Sequence, residues 1–165
     1  MSVGVTDRRV ARVIKRCEEL PGQNLFQYID ADDDRSTVSS DDVNQYLRDA
    51  TGGDFTAKDF RTWAGTVLAA CALREAAGFE SETEAKRKVV EAIDSVARKL
   101  GHTRAVCRRS YVHPAVIDTF MEGDLAVALS ITMARTPGRL RADEAAVMLL
   151  LRRRLARAQR PARAA

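Results

Sequence analysis

Apolar residues recur at helical spacing through most of this chain. Over residues 7–20, Val10, Val13, Ile14 and Cys17 fall on one face, which predicts an amphipathic helix with Thr6 as N-cap and Pro21-Gly22 as its stop. LFQYI at 25–29 is a short apolar run predicted as a buried strand or extended stretch, and DADDDRSTVSS after it as an acidic loop. A second helix is predicted over 41–50, capped by Ser39 or Ser40 and stopped at Gly52-Gly53. A third begins after Thr56, with Asp59 as a capping-box-like partner, and runs to about Ala77. Its apolar stripe is Phe60, Ala64, Val67, Leu68 and Cys71, while a fourth helix at 83–100 turns Val89, Ile93, Val96 and Leu100 inward.

Gly101-His102-Thr103 interrupts the pattern and offers a fresh cap. Short helices are predicted over 104–112, 114–121 and 125–133, with Pro114 suited to open the second and Gly123 to close it. Pro137-Gly138 marks a turn, and 141–158 is a last amphipathic helix before an arginine-rich tail. The expected fold is mainly α, with at most a short strand or hairpin, and 165 residues suit one compact domain.

Composition narrows the setting. Cys17, Cys71 and Cys107 are odd in number and lack metal or redox spacing, so reduced thiols are expected. No run approaches the roughly 18 apolar residues of a membrane span, and MSVGVTDRR lacks a signal core. A cytoplasmic, nucleoid-associated protein without membrane contact is expected. The net charge of +4 is uneven: nine arginines from Arg135 onward face only Asp143 and Glu144, while everything before sums to −3. Such a basic tail points to a polyanionic partner, although a solvated helix face explains it equally well.

Three places hold residues that chemistry can use. Lys58 and Arg61 lie three apart on one helix face, where an arginine can grip a phosphate through two parallel hydrogen bonds. Gly65 follows one turn later, and a mid-helix glycine costs about 1 kcal/mol, which hints at a close approach. The other two places are Leu100-Gly101-His102-Thr103 and the run Cys107 to Pro114, which contains Arg108, Arg109, Tyr111 and His113. On one continuous helix, His102 and Tyr111 would face opposite ways, about 13 Å apart along the axis. They share a site only if His102 lies outside the helix bearing Tyr111. A phenol is a weak nucleophile unless its developing charge is stabilised, and Arg61, Arg108 and Arg109 are the available cations. Lone tyrosines near arginines are usually packed surface residues, so the residues alone leave this open.

Two metal patterns fail, one on residue identity and one on spacing. Asp30, Asp32, Asp34, Ser36 and Asp41 mimic a calcium loop, but Arg35 stands where glycine is needed and Asp41 where glutamate is usual. His102, Cys107 and His113 match no zinc spacing. Neither a metal nor a cofactor is expected.

The strings LPGQNLFQYID, SSDDVNQYL, FTAKDFRTWAGT, LGHT and AVCRRSYVHPAV, in this order, resemble the bacterial, poxvirus-like type IB DNA topoisomerases. The resemblance covers about residues 6–123. It implies a helical catalytic domain of the topoisomerase IB and tyrosine recombinase class over 1–123, followed by a helical, arginine-rich extension over 124–165. It implies double-stranded DNA as partner, transient cleavage of one strand through a 3′-phosphotyrosyl bond, swivelling, and resealing without metal or ATP. By motif, Tyr111 in SYVHP corresponds to the nucleophile. Arg61 in KDFRT corresponds to the second arginine and His102 in LGHT to the histidine that hydrogen-bonds a non-bridging oxygen. Lys58, Arg108 and Arg109 are lesser candidates for DNA backbone contacts.

The family's first arginine and its general-acid lysine belong upstream of the match to residues 6–20. The chain therefore reads as truncated at its N-terminus, or as completed by an upstream polypeptide. A tyrosine recombinase fragment is the alternative enzyme, disfavoured by Lys58 standing where recombinases carry histidine. The remaining alternative is a remnant that binds DNA without cutting it.

Overall fold

The computed structural model describes residues 6–19, 22–130 and 140–159. Among these lie eight helices and one hairpin, in the order α1 (Arg8–Glu18), β1 (Gln27–Ile29), β2 (Arg35–Thr37), α2 (Ser40–Thr51), α3 (Ala57–Glu75), α4 (Glu82–Leu100), α5 (Arg104–Ser110), α6 (Pro114–Met121), α7 (Leu125–Ser130) and α8 (Ala142–Ala158). The expected mainly helical fold is observed. The predicted turn at Pro137-Gly138 and the end of the helix proposed for 125–133 lie outside the described residues. The chain divides into two compact units, Ser2–Phe60 and Arg61–Ala165.

In the first unit, local hydrogen bonds fix each element. Asp7, rather than Thr6, caps α1, its carboxylate accepting from the Arg9 and Val10 amides. Ser39 caps α2 in a reciprocal box with Asp42, and Gly52 ends the helix in the left-handed region at φ 66°. The acidic loop hides a strand: Arg35–Thr37 pairs antiparallel with Gln27–Ile29, Tyr28 opposite Ser36. Between them the Asp30 carboxylate accepts from the Asp32 and Asp34 amides and the Ser36 hydroxyl, so the acidic run is a self-bonded turn. The 25–29 stretch is not buried, contrary to expectation. Phe26 and Ile29 are 51% and 61% exposed, because the two strands have no layer packed upon them among the described residues.

The second unit owns the hydrophobic core. Leu73, Ile93, Val96, Val116, Leu125 and Val147 are fully buried, drawn from α3, α4, α6, α7 and α8. Each contributes about 1.5–3 kcal/mol by leaving water. On α4 the inward side is the expected one, with Val89, Ile93 and Val96 buried and Leu100 packed at its end. On α3 it is not. The buried residues are Gly65, Thr66, Ala69, Ala70 and Leu73, whereas Phe60 is 50% exposed. At 100° per residue this face lies roughly opposite the predicted stripe. Small residues make it the deep side, because they admit neighbouring backbone that larger apolar groups would exclude. Residues beyond 123 join the same core through Leu129, Ala146 and Leu150. Two ion pairs fasten α8: Arg74 of α3 to Asp143 at 2.9 Å, and Arg154 to Glu122 beside Thr119.

The helix starts carry an acid dependence. The backbone amide and hydroxyl of Ser39 hold the Asp42 carboxyl below its usual range, and the Thr56 hydroxyl and amide do the same for Asp59. A depressed folded-state pKa contributes stability above the ordinary aspartate range and loses it as pH falls through the depressed value. Amide protection at residues 40–43 and 57–60, relative to the intrinsic exchange rate at each pH, is therefore expected to fall on acidification below about pH 4. Asp42→Asn and Asp59→Asn should each abolish that pH step at their own helix.

Candidate active site

α4 ends at Gly101, whose left-handed φ of 68° lets the chain turn back on itself. The Gly101 and His102 amides both donate to the Ala97 carbonyl, so His102 is pinned immediately past the helix. Thr103 then caps α5 by accepting from the Val106 amide. His102 thus stands outside the helix that leads to Tyr111, the condition for the two to share a site. Their ring centroids are 5.0 Å apart at an interplanar angle of 49°.

Tyr111 is the C-cap of α5, and its neighbour His113 opens α6 by accepting the Ala115 amide on Nδ1, with Pro114 at the first helical position. His113 is thereby committed as a cap. Three residues of α3 hold this junction. The Thr62 hydroxyl donates to the Ser110 carbonyl at 3.3 Å. The buried Thr66 hydroxyl donates to the Tyr111 carbonyl at 3.3 Å and accepts the His113 amide at 3.1 Å. Between them, a Cβ on Gly65 would lie 2.6 Å from the Tyr111 carbonyl oxygen and 3.1 Å from its Cβ. The close approach that this glycine implied is made by the backbone of Tyr111 itself.

The same stretch of α3 delivers Arg61, whose guanidinium carbon lies 5.9 Å from the centre of the Tyr111 ring. That is near the outer limit of about 6 Å for a cation over an aromatic face. Arg61 is exposed and forms no ion pair among the described residues, so its donors are open to an anion. Tyr111 is only 9% exposed. Its hydroxyl has no hydrogen bond among the described residues, yet no buried polar side-chain atom lacks a partner, so that oxygen reaches the surface. The ring is packed, and its hydroxyl is the end left at the surface.

The other candidates stand elsewhere. Arg108 and Arg109 are exposed and line a shallow depression with Val90, Arg104, Ala105 and Pro114, into which none of Arg61, His102 and Tyr111 opens. Lys58 is exposed on the first turn of α3, in the first unit. Burial raises the pKa of the Cys107 thiol, which keeps it neutral in the core. Nothing in the apolar pattern marked Thr62 and Thr66. Their signal was two hydroxyls four apart, flanking the mid-helix glycine.

The catalytic core of eukaryotic DNA topoisomerase I, as a family, matches residues 1–130 of this sequence. The chain belongs to that family. A DNA topoisomerase 1B of Acanthamoeba polyphaga mimivirus is 37% identical over 107 residues, covering 60% of this chain and 32% of the relative. The chain thus spans about a third of that relative's length.

Gly65→Ala drives a methyl into the Tyr111 carbonyl, and overpacking of this kind costs about 1–3 kcal/mol. Urea unfolding should register that loss. Thr66→Val leaves the Tyr111 carbonyl and His113 amide unpaired, a further case worth about 1–3 kcal/mol, whereas Thr66→Ser should stay near wild type. Equal stability of the valine and serine variants would refute the bridging role.

Proposed function

We propose that this chain carries the cleavage chemistry of a type IB DNA topoisomerase, with Tyr111 as nucleophile and double-stranded DNA as substrate. The observation that carries this reading is the packing of Arg61 and His102 around one tyrosine ring whose hydroxyl meets solvent. In the proposed step, the Tyr111 oxygen attacks the scissile phosphorus as its O–H proton departs. A bond forms from phosphorus to tyrosine and the bond from phosphorus to the 5′ oxygen breaks. The result is a 3′-phosphotyrosyl link and a 5′-hydroxyl strand end. Resealing is the reverse, so no phosphoester energy is lost and supercoils relax while the strand swivels.

Arg61 suits the second-arginine role because its guanidinium can pair two non-bridging oxygens as charge builds on the pentacovalent phosphorus. His102, beside the same ring, adds one donor. Lys58, Arg108 and Arg109 would serve binding, through phosphates away from the scissile one. Protonation of the leaving 5′ oxygen, and the family's first arginine, we assign to a polypeptide outside these residues. General-acid help is worth about 10²–10⁴ in rate, so the chain alone should cleave slowly.

The test is trapping of a covalent protein–DNA adduct on a suicide duplex bearing a 5′-bridging sulfur, whose thiolate leaves without an acid. Adduct should form with the wild type and be absent with Tyr111→Phe. Arg61→Ala and His102→Ala should slow it by about 10²–10³. Binding of duplex that weakens steeply with salt, with no adduct from any variant, would instead identify a DNA-binding remnant.

A further inference from the structure

Apart from Tyr111, two polar side chains are buried among the described residues, Thr66 of α3 and Thr119 of α6, at 2% and 3% exposure. A buried hydroxyl is costly unless its proton and lone pairs find partners. Thr66 finds them at the junction of α5 and α6, in the Tyr111 carbonyl and the His113 amide. Thr119 donates to the Ala115 carbonyl at 2.6 Å. It also accepts from Arg154 of α8, whose Nε lies at 3.0 Å and Nη2 at 2.8 Å.

These two hydroxyls belong to one line of hydrogen bonds. Arg154 donates to Thr119, and Thr119 donates to the Ala115 carbonyl. The Ala115 amide donates to His113 Nδ1 at 3.2 Å. The His113 amide donates to the Thr66 hydroxyl at 3.1 Å, and that hydroxyl donates to the Tyr111 carbonyl at 3.3 Å. The amide and carbonyl of Ala115 belong to different peptide groups, so the line holds position and does not pass charge.

No bond of Arg154 reaches the tyrosine ring, and its Nη2 also pairs with Glu122. The Arg74–Asp143 pair fastens α8 as well, but takes no part in the line. α8 lies past residue 130, where the family match ends, so family membership gives it no role at Tyr111.

We propose that Arg154 is a positioning residue for Tyr111, acting from α8 through Thr119, Ala115, His113 and Thr66 on the backbone of the tyrosine. The proposal rests on the reading of Tyr111 as nucleophile. A small misplacement of a reacting group can cost about 10²-fold in rate, even when its cause lies far from the chemistry.

The test uses the full 165-residue chain and the suicide duplex. Arg154→Met and Thr119→Val should each slow adduct formation at saturating duplex by about tenfold or more, with duplex affinity unchanged. Thr119→Val spares the pairing of Arg154 with Glu122, and Thr119→Ser, which restores the hydroxyl, should recover most of the rate. Arg74→Met loosens α8 without breaking the line and should stay near the wild-type rate. In the free chain, protection of the His113 and Ala115 amides should fall in Arg154→Met and Thr119→Val and hold in Arg74→Met.

Wild-type adduct rates in Arg154→Met and Thr119→Val overturn the proposal. Equal slowing by Arg74→Met does so too, because the effect is then only the docking of α8. Unchanged protection at residues 113 and 115, or no recovery with Thr119→Ser, is equally fatal. If Arg154→Met does not fold, the valine and serine variants at 119 decide. A wild type that forms no adduct sinks the catalytic reading, and amide exchange, read without DNA, then decides whether Arg154 holds the junction.

Discussion

At the junction of α5 and α6, the carbonyl oxygen of Tyr111 meets the Thr66 hydroxyl and the bare Cα of Gly65. Both contacts grip backbone, so the tyrosine is aimed by its main chain, while its hydroxyl makes no hydrogen bond among the described residues. The same helix carries Arg61 one turn before Gly65, which couples the cation and the phenol through a single rigid element. His102 lies beside the ring, held past α4 by the Gly101 and His102 amides that donate to the Ala97 carbonyl. Ordered elements thus bring Arg61, Tyr111 and His102 together, as the proposed charge-stabilising role requires.

The surrounding polar groups follow a consistent division. Where α3 passes the junction, every hydroxyl points inward to a backbone group, and the cations stay outside. Arg74 and Arg154 are spent on carboxylates that fasten α8. Arg61 has no such partner among the described residues. A cation without a carboxylate partner beside a packed ring is poorly explained by stability, since surface charge on a helix contributes little by itself. It fits a site that awaits an anion.

Much of this was legible before any coordinates. Helix positions follow from apolar spacing and from strong punctuation: Gly52, Gly101, Thr103 and Pro114 all sit where helices begin or end. The motif strings picked out Arg61, His102 and Tyr111, and the break at Gly101 showed how two residues nine apart can converge. The deep face of α3 was not legible, because apolar size singled out Phe60, Val67 and Leu68 while close packing selects Gly65, Thr66 and Ala69. The β2 strand was hidden because Arg-Ser-Thr carries no apolar alternation, its pairing being set by the Asp30 turn. The 25–29 run misled in the opposite sense. Its hydrophobicity announced burial, but burial requires a neighbour, and neighbours are a property of the assembled fold.

The uneven share of interior between the two units has a thermodynamic corollary. Apolar surface removed from water supplies most of the heat-capacity change of unfolding, and nearly all of that surface lies after residue 60. A calorimetric trace of this chain accordingly reports the melting of the part that bears Tyr111. The described residues of the first unit contribute little to that heat-capacity change.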